Sequence, residues 1–189
     1  MPETPHTAVE APHPVTRPAF RPSARVRGIG ILDVLGKEHR RHRYLLSHLA
    51  DILDEPGRRR RCLLDLFADV VSHHAAEEQV LYSALVAQSE THEPARDSVL
   101  EHMEVDELIE ELLELDGAGC NERQWRVHFF DFRAQAERHM LKEERWLFPH
   151  AHRMLSVERQ MAMATEFYAC KAQHRWQAMA GIVQRPAGR

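Results

Sequence analysis

From Ile29 onward, apolar residues recur every three or four positions, and that period predicts helices rather than strands. Leu32, Leu35, His39, His42, Leu46, Leu49 and Leu53 mark the stripe of a first helix, with Pro56-Gly57 as the turn that ends it. A second helix starts near Arg58 and runs to about Gln88. It carries two adjacent rows of equal quality. One is Leu63, Leu66, Val70, His73, Glu77 and Val80; the other is Leu64, Phe67, Val71, His74, Glu78 and Leu81, and periodicity leaves both open. After a polar break from Ser89 to Pro94, a third helix turns Val99, His102, Val105 or Asp106, Ile109 and Leu112 inward, and Asp116-Gly117-Ala118-Gly119 stops it. Asn121 caps a fourth helix with the stripe Trp125, His128 or Phe129, Phe132, Ala136, His139, Glu143, Trp146 and His150. Pro149 falls inside that pattern and predicts a kink near Phe148. A fifth helix, from about Ser156 to Val183, has Met161, Phe167, Met179 and Ile182 at looser spacing.

Four helices with short connections predict an all-α chain, an antiparallel up-and-down four-helix bundle over residues 28–155. An additional C-terminal helix over 156–189 packs on the bundle. Residues 1–27 hold Pro2, Pro5, Pro12, Pro14, Pro18 and Pro22 with almost no large apolar residue besides Phe20, so they read as a disordered Pro-rich arm.

Composition agrees with amphipathic helices: 8 glycines, 29% charged and 43% hydrophobic residues. The net charge of -4 argues against nucleic acid as a partner, and the basic run Arg58–Arg61 reads as a solvated helix start. Cys62, Cys120 and Cys170 are odd in number and scattered, which points away from a disulfide framework and toward a reducing, cytoplasmic setting. No apolar run approaches the length of a membrane span or a signal peptide, so no membrane partner is expected.

The compositional outlier is histidine, at 14 residues, several of them on the inward stripes. Residues 73–83 and 139–149 share the pattern His-x-x-x-Glu-Glu-x-x-Leu-aromatic, with His73 over His139, Glu77 over Glu143, Glu78 over Glu144 and Tyr82 over Phe148. Residues four apart on a helix share a face, so each copy presents an imidazole and a carboxylate to one point. The repeat extends further: Glu38-His39 matches Glu101-His102 at an offset of 63 residues, against 66 for the longer motif. A hairpin used twice places one lone His and one His-Glu pair from each half at the centre of an approximate two-fold. Four imidazoles and two carboxylates in an apolar core are costly without a cation, at several kcal/mol for an unpaired charge, roughly. His39, His73, Glu77, His102, His139 and Glu143 are therefore the candidate ligands, a nitrogen and oxygen set suited to iron, manganese or zinc.

These motifs resemble the hemerythrin-like HHE cation-binding domain family across about residues 29–155. The resemblance implies an up-and-down bundle holding two iron ions in an oxo- or hydroxo-bridged non-haem centre, with Zn or Mn as possible substitutes. It implies that His39, His73, His102 and His139 are imidazole ligands and Glu77 and Glu143 carboxylate ligands, and it selects the His73-Glu77 row. The oxygen-carrying hemerythrins have a second His where this chain has Asp106, and a bridging Asp where it has Glu144. Whether Glu78, Asp106 and Glu144 bind the metal or orient its ligands stays open, with His42 and His74 as further candidates. The expected function is binding, sensing or processing of a small ligand such as oxygen, peroxide or nitric oxide, or iron handling under oxidative stress. Peroxide decomposition or other redox turnover at the same centre, a metal-dependent regulatory or interaction module, and a di-zinc hydrolytic site are the alternatives.

Overall fold

The structure, a computed structural model, describes residues 28–117 and 121–184. The expected Pro-rich arm, Cys120 and the Ala118-Gly119 part of the third-helix stop lie outside them. Every element among the described residues is helical: α1 (Ile31–Asp51), α2 (Pro56–Glu77), α3 (Ser83–Val86), α4 (His92–Gly117), α5 (Glu122–Lys142), α6 (Phe148–Met154) and α7 (Val157–Gln184). Two π-helical turns, Glu78–Tyr82 and Glu143–Leu147, join α2 to α3 and α5 to α6. No described helix is long and apolar enough to cross a membrane.

Local chemistry accounts for most boundaries. Asn121 caps α5 as expected, its side chain accepting from Arg123 N at 2.8 Å. Pro94 sits in the first turn of α4, where a missing N–H costs nothing. Pro56-Gly57 does not end the first helix: α1 stops at Asp51, and Pro56 opens α2 as its first residue. Its fixed φ suits a helix start, and this role outweighs the turn reading.

α2 packs on α1, α4 and α7, and α4 packs on α5. Surrounded on three sides, α2 buries the whole His73 row, and of the His74 row it buries Phe67, His74 and Leu81 while Leu64, Val71 and Glu78 are half-buried. This is why one-sided periodicity could not choose between them. On α4 the inward residue is Val105, and on α5 it is Phe129. The expected positions Trp146 and His150 are not buried; Leu147 and Ala151 are buried instead. A π-turn spends one extra residue per turn and rotates the following stripe, which moves the buried face. On α7 the expected Met161 and Met179 are exposed, and Met163, Ala164, Phe167 and Lys171 face inward.

Two apolar clusters result. One gathers Leu46, Leu49, Leu66, Val70, Val105, Ile109, Phe129 and Phe132 with their neighbours. The other gathers Leu35, Ala76, Val80, Leu81, Ala95, Leu147 and Phe167. Fully burying a side chain of this size contributes about 1.5–3 kcal/mol. α1 and α4 contribute to the second cluster near their starts and to the first further along, α2 has the reverse order, and α5 contributes to the first cluster with Leu147 and Ala151 after it in the second. Between the clusters, on all four helices, the stripe is interrupted by histidine and glutamate.

Candidate metal centre

Each of the four helices delivers its polar residues at the same level. α1 brings His39, α2 brings His73 and Glu77, α4 brings His102, and α5 with the π-turn after it brings His139 and Glu143. All six are at most 3% exposed. His73 Nε2 lies 3.3 Å from Glu77 Oε2, and the repeat-related His139 Nε2 lies 3.3 Å from Glu143 Oε1. His39 Nε2 is 3.1 Å from Glu143 Oε2, while His102 Nε2 is 3.8 Å from Glu77 Oε2 and 3.9 Å from Glu143 Oε1. These close approaches lack hydrogen-bonding partners in proper geometry. Nε2 of His39, His102 and His139, both oxygens of Glu77 and Oε2 of Glu143 are buried without a hydrogen bond.

That set of orphaned atoms is the test of fit. Burying a polar group unsatisfied costs about 1–3 kcal/mol, and native cores avoid it. A cation would satisfy these donors together. His39, His73 and Glu77 offer ligand atoms within 4.8 Å of one another, and so do Glu77, His102 and Glu143. Glu77 belongs to both groups and can serve both positions.

The far nitrogens of the imidazoles face carboxylates that lie outside the six-residue set. Glu144 Oε1 is 2.9 Å from His39 Nδ1, and Glu78 Oε1 is 2.8 Å from His102 Nδ1, the same contact in each half of the repeat. The second glutamate of each motif thus faces away from the centre and holds an imidazole from outside, an arrangement that fixes ring orientation and tautomer. Glu101, unremarked as a contributor in the sequence, does the same for His139, with Oε2 at 3.0 Å from Nδ1. Its presence in both copies as Glu38 and Glu101 was the available signal. Asp106 also stays outside, 2.7 Å from His74 Nδ1. His74 stacks on His102 with ring centroids 3.9 Å apart. His42 meets His73 edge-on at 4.8 Å and approaches Asp69 Oδ2 at 3.5 Å. His74 also shares a cluster with His102 and His139, and His42 one with Glu38 and His73.

The two halves differ in charge. Arg43 grips Glu144 through two bonds of 2.8 and 3.0 Å, whereas the repeat puts Asp106 at Arg43's position. The His39 hydrogen bond, with Arg43, therefore draws the Glu144 carboxyl down to about 2, while burial and Asp106 push Glu78 up to about 7. Burial holds His73 and His102 well below the ordinary imidazole range, with neighbouring histidines adding to the effect. At His139 burial acts downward, but Glu143 and Glu101 outweigh it and raise the imidazole to about 10. Burial and the nearby Glu143 raise Glu77; against burial, His139 and His39 hold Glu143 ionised.

Tyr82 is the residue that sequence reading placed in the motif without giving it chemistry. Its ring stacks on His102 at 5.3 Å, as Phe148 stacks on His39 at 5.5 Å in the other half. Only Tyr82 carries a hydroxyl, and that hydroxyl donates to Glu143 Oε1. A Tyr facing a Phe across the repeat was the sequence signal. Solvent comes near from the α5 side, where a pocket of about 410 Å³ is lined by Glu101, His139, Lys142 and Arg145. Another, of about 490 Å³ around Arg59 and Asp116, lies at the far end of the bundle, away from the histidines.

Comparison with curated proteins and with solved structures gave no match. A family model described as the hemerythrin HHE cation binding domain matches residues 30–151. That span is more than half of the chain and contains all four helices of the histidine and glutamate belt, so the protein belongs to the hemerythrin HHE cation-binding domain family.

Proposed function

We propose that this chain is a hemerythrin-like non-haem di-iron protein that binds, senses or processes oxygen, peroxide or nitric oxide, or handles iron under oxidative stress. The observation that carries the reading is the set of buried imidazole and carboxylate atoms without hydrogen-bond partners, converging from four helices. His39, His73, His102 and His139 with Glu77 and Glu143 would hold two metal ions, which supply redox chemistry and positions for a small ligand. Glu144, Glu78 and Glu101 orient the imidazoles, and the apolar clusters on either side exclude water. The order of those clusters along α1, α2, α4 and the stretch from α5 to α6 supports an antiparallel up-and-down bundle, with residues 28–155 as the metal-binding unit and α7, within 156–189, as an added layer. Family membership favours iron over zinc or manganese, and the scattered cysteines favour the cytoplasm.

Peroxide decomposition is the second reading, favoured by the Tyr82 hydroxyl. The buried Tyr82 phenol donates to Glu143, one of the residues that would hold the metal, and so could serve there as a proton donor, the role a general acid fills. The test of the main reading is to load the protein with ferrous iron under anaerobic conditions and add oxygen, peroxide or nitric oxide singly. A visible absorption change with at least one of them, absent from the metal-free chain, is expected. No change with any of the three would overturn the reading.

A further inference from the structure

The two halves of the centre are supported differently, and the difference involves the helix that lies beyond the family match. In the second half, Lys142 Nζ donates to Glu101 Oε1 at 2.6 Å, and the other oxygen of Glu101 faces His139 Nδ1 at 3.0 Å. Amine, carboxylate and imidazole form a chain from the surface to the candidate ligand. In the first half the corresponding carboxylate is Glu38 and the corresponding imidazole His73, but the repeat puts Ala76 where Lys142 stands. No amine is available from α2.

One arrives from α7. Lys171 Nζ donates to Glu38 Oε2 and lies 3.0 Å from Asp69 Oδ1, with the residue only 8% exposed. One turn earlier on α7, Phe167 is fully buried and meets the His73 ring edge-on at 5.7 Å. Arg175, one turn later, donates to Asp69 Oδ1 at 3.0 Å. The repeat puts Gln135 at the position of Asp69, so this anchor exists only on the side that α7 covers. His73 Nδ1 is buried without a hydrogen bond, and Glu38 Oε2 is the carboxylate oxygen facing it, at 4.0 Å. Burial and Arg175 draw the Lys171 ammonium down to about 7, while the two carboxylates it touches favour its charged form.

We infer that Lys171 is a positioning residue for the centre: it fixes Glu38, and through Glu38 the tautomer and orientation of His73, replacing from α7 the lysine that α2 lacks. This rests on reading His73 as an imidazole ligand. Burial of a lysine between two carboxylates could by itself be a strut that docks α7, so the test must separate docking from ring control. Lys171→Met keeps the length and apolar stem without the charge, and Lys171→Arg restores the charge.

In the full, metal-free chain, nitrogen NMR of the His73 ring should show the Nδ1–H tautomer in the parent and in Lys171→Arg, and a mixture in Lys171→Met. The same tautomer in all three overturns the inference. Titration with ferrous iron against a chelator then supplies a second readout. Lys171→Met should weaken one of the two irons about 10–100-fold and leave the other at the parent affinity, the range seen when an outer partner of a ligating His is lost. Equal affinities in Lys171→Met and parent, or a matching loss of both irons, would mean that Lys171 only docks the helix. If the parent chain takes up no iron, the metal-centre reading fails, and the tautomer result still decides the role of Lys171.

Discussion

Replacing Glu77 by methionine should move stability in opposite directions with and without metal. Glu77 is completely buried, and neither carboxylate oxygen has a hydrogen-bond partner. In the metal-free chain burial and the nearby Glu143 raise its pKa, so its charged form is disfavoured and neither form finds a hydrogen-bond partner. An unsatisfied buried group costs about 1–3 kcal/mol, and the approach to His73 Nε2 returns about 1 kcal/mol at most. Methionine has nearly the same length and no polar oxygens. The metal-free variant should therefore gain about 1–2 kcal/mol, or roughly 2–8 °C in Tm for a chain of this size. With metal the sign reverses, because a ligand common to both groups of donors is gone and binding no longer stabilises the fold. Thermal unfolding with a chelator and with ferrous iron measures both. A metal-free Glu77→Met chain less stable than its parent would refute the claim that the site is built at the expense of the fold.

Other outcomes follow from the same geometry. Glu144→Ala removes the oxygen that holds His39 Nδ1 and should weaken iron by about 10–100-fold, measured by chelator competition, with little change in helix content. Tyr82→Phe copies the residue that the other half already has at Phe148, so iron stoichiometry should be unchanged. If the phenol serves as a proton donor, peroxide decay should slow by about 10²-fold or more. Asp69→Asn weakens a buried carboxylate's pairs with Arg41, Lys171 and Arg175, two of which reach solvent while Lys171 keeps Glu38, and should cost about 1.5–3 kcal/mol by urea unfolding at neutral pH. Burial opposes ionisation of Asp69, but His42 and Arg41 hold its folded pKa below the unfolded value near 4. Its contribution is thus present above about pH 4 and lost as pH falls through the folded pKa, so the gap between parent and variant should close in acid.

Much of this centre was legible because its chemistry is written twice. The His73-Glu77 and His139-Glu143 spacings place each pair on one helical face, and the repeat ties them to His39 and His102. The choice between the His73 and His74 rows was not legible, since α2 is enclosed by three helices and members of both rows, His73 and His74 among them, are buried. Contacts across helices were also hidden. Which nitrogen Glu144 or Glu78 meets depends on the docking of α5 against α1 and of α2 against α4, and no spacing within one helix reports that. The π-turns escaped a search for a period of 3.6, although they sit at the glutamate pairs and decide that Leu147 rather than Trp146 enters the core. Lys171 was invisible for a similar reason: its partner Glu38 lies 133 residues away.

The central claim is that four helices aim these six side chains at one metal centre. Elemental analysis of the iron-reconstituted protein, with a visible spectrum before and after azide, tests it most directly. The account predicts about two irons per chain and a charge-transfer band that azide shifts. Well under two metals per chain with no such band would contradict it.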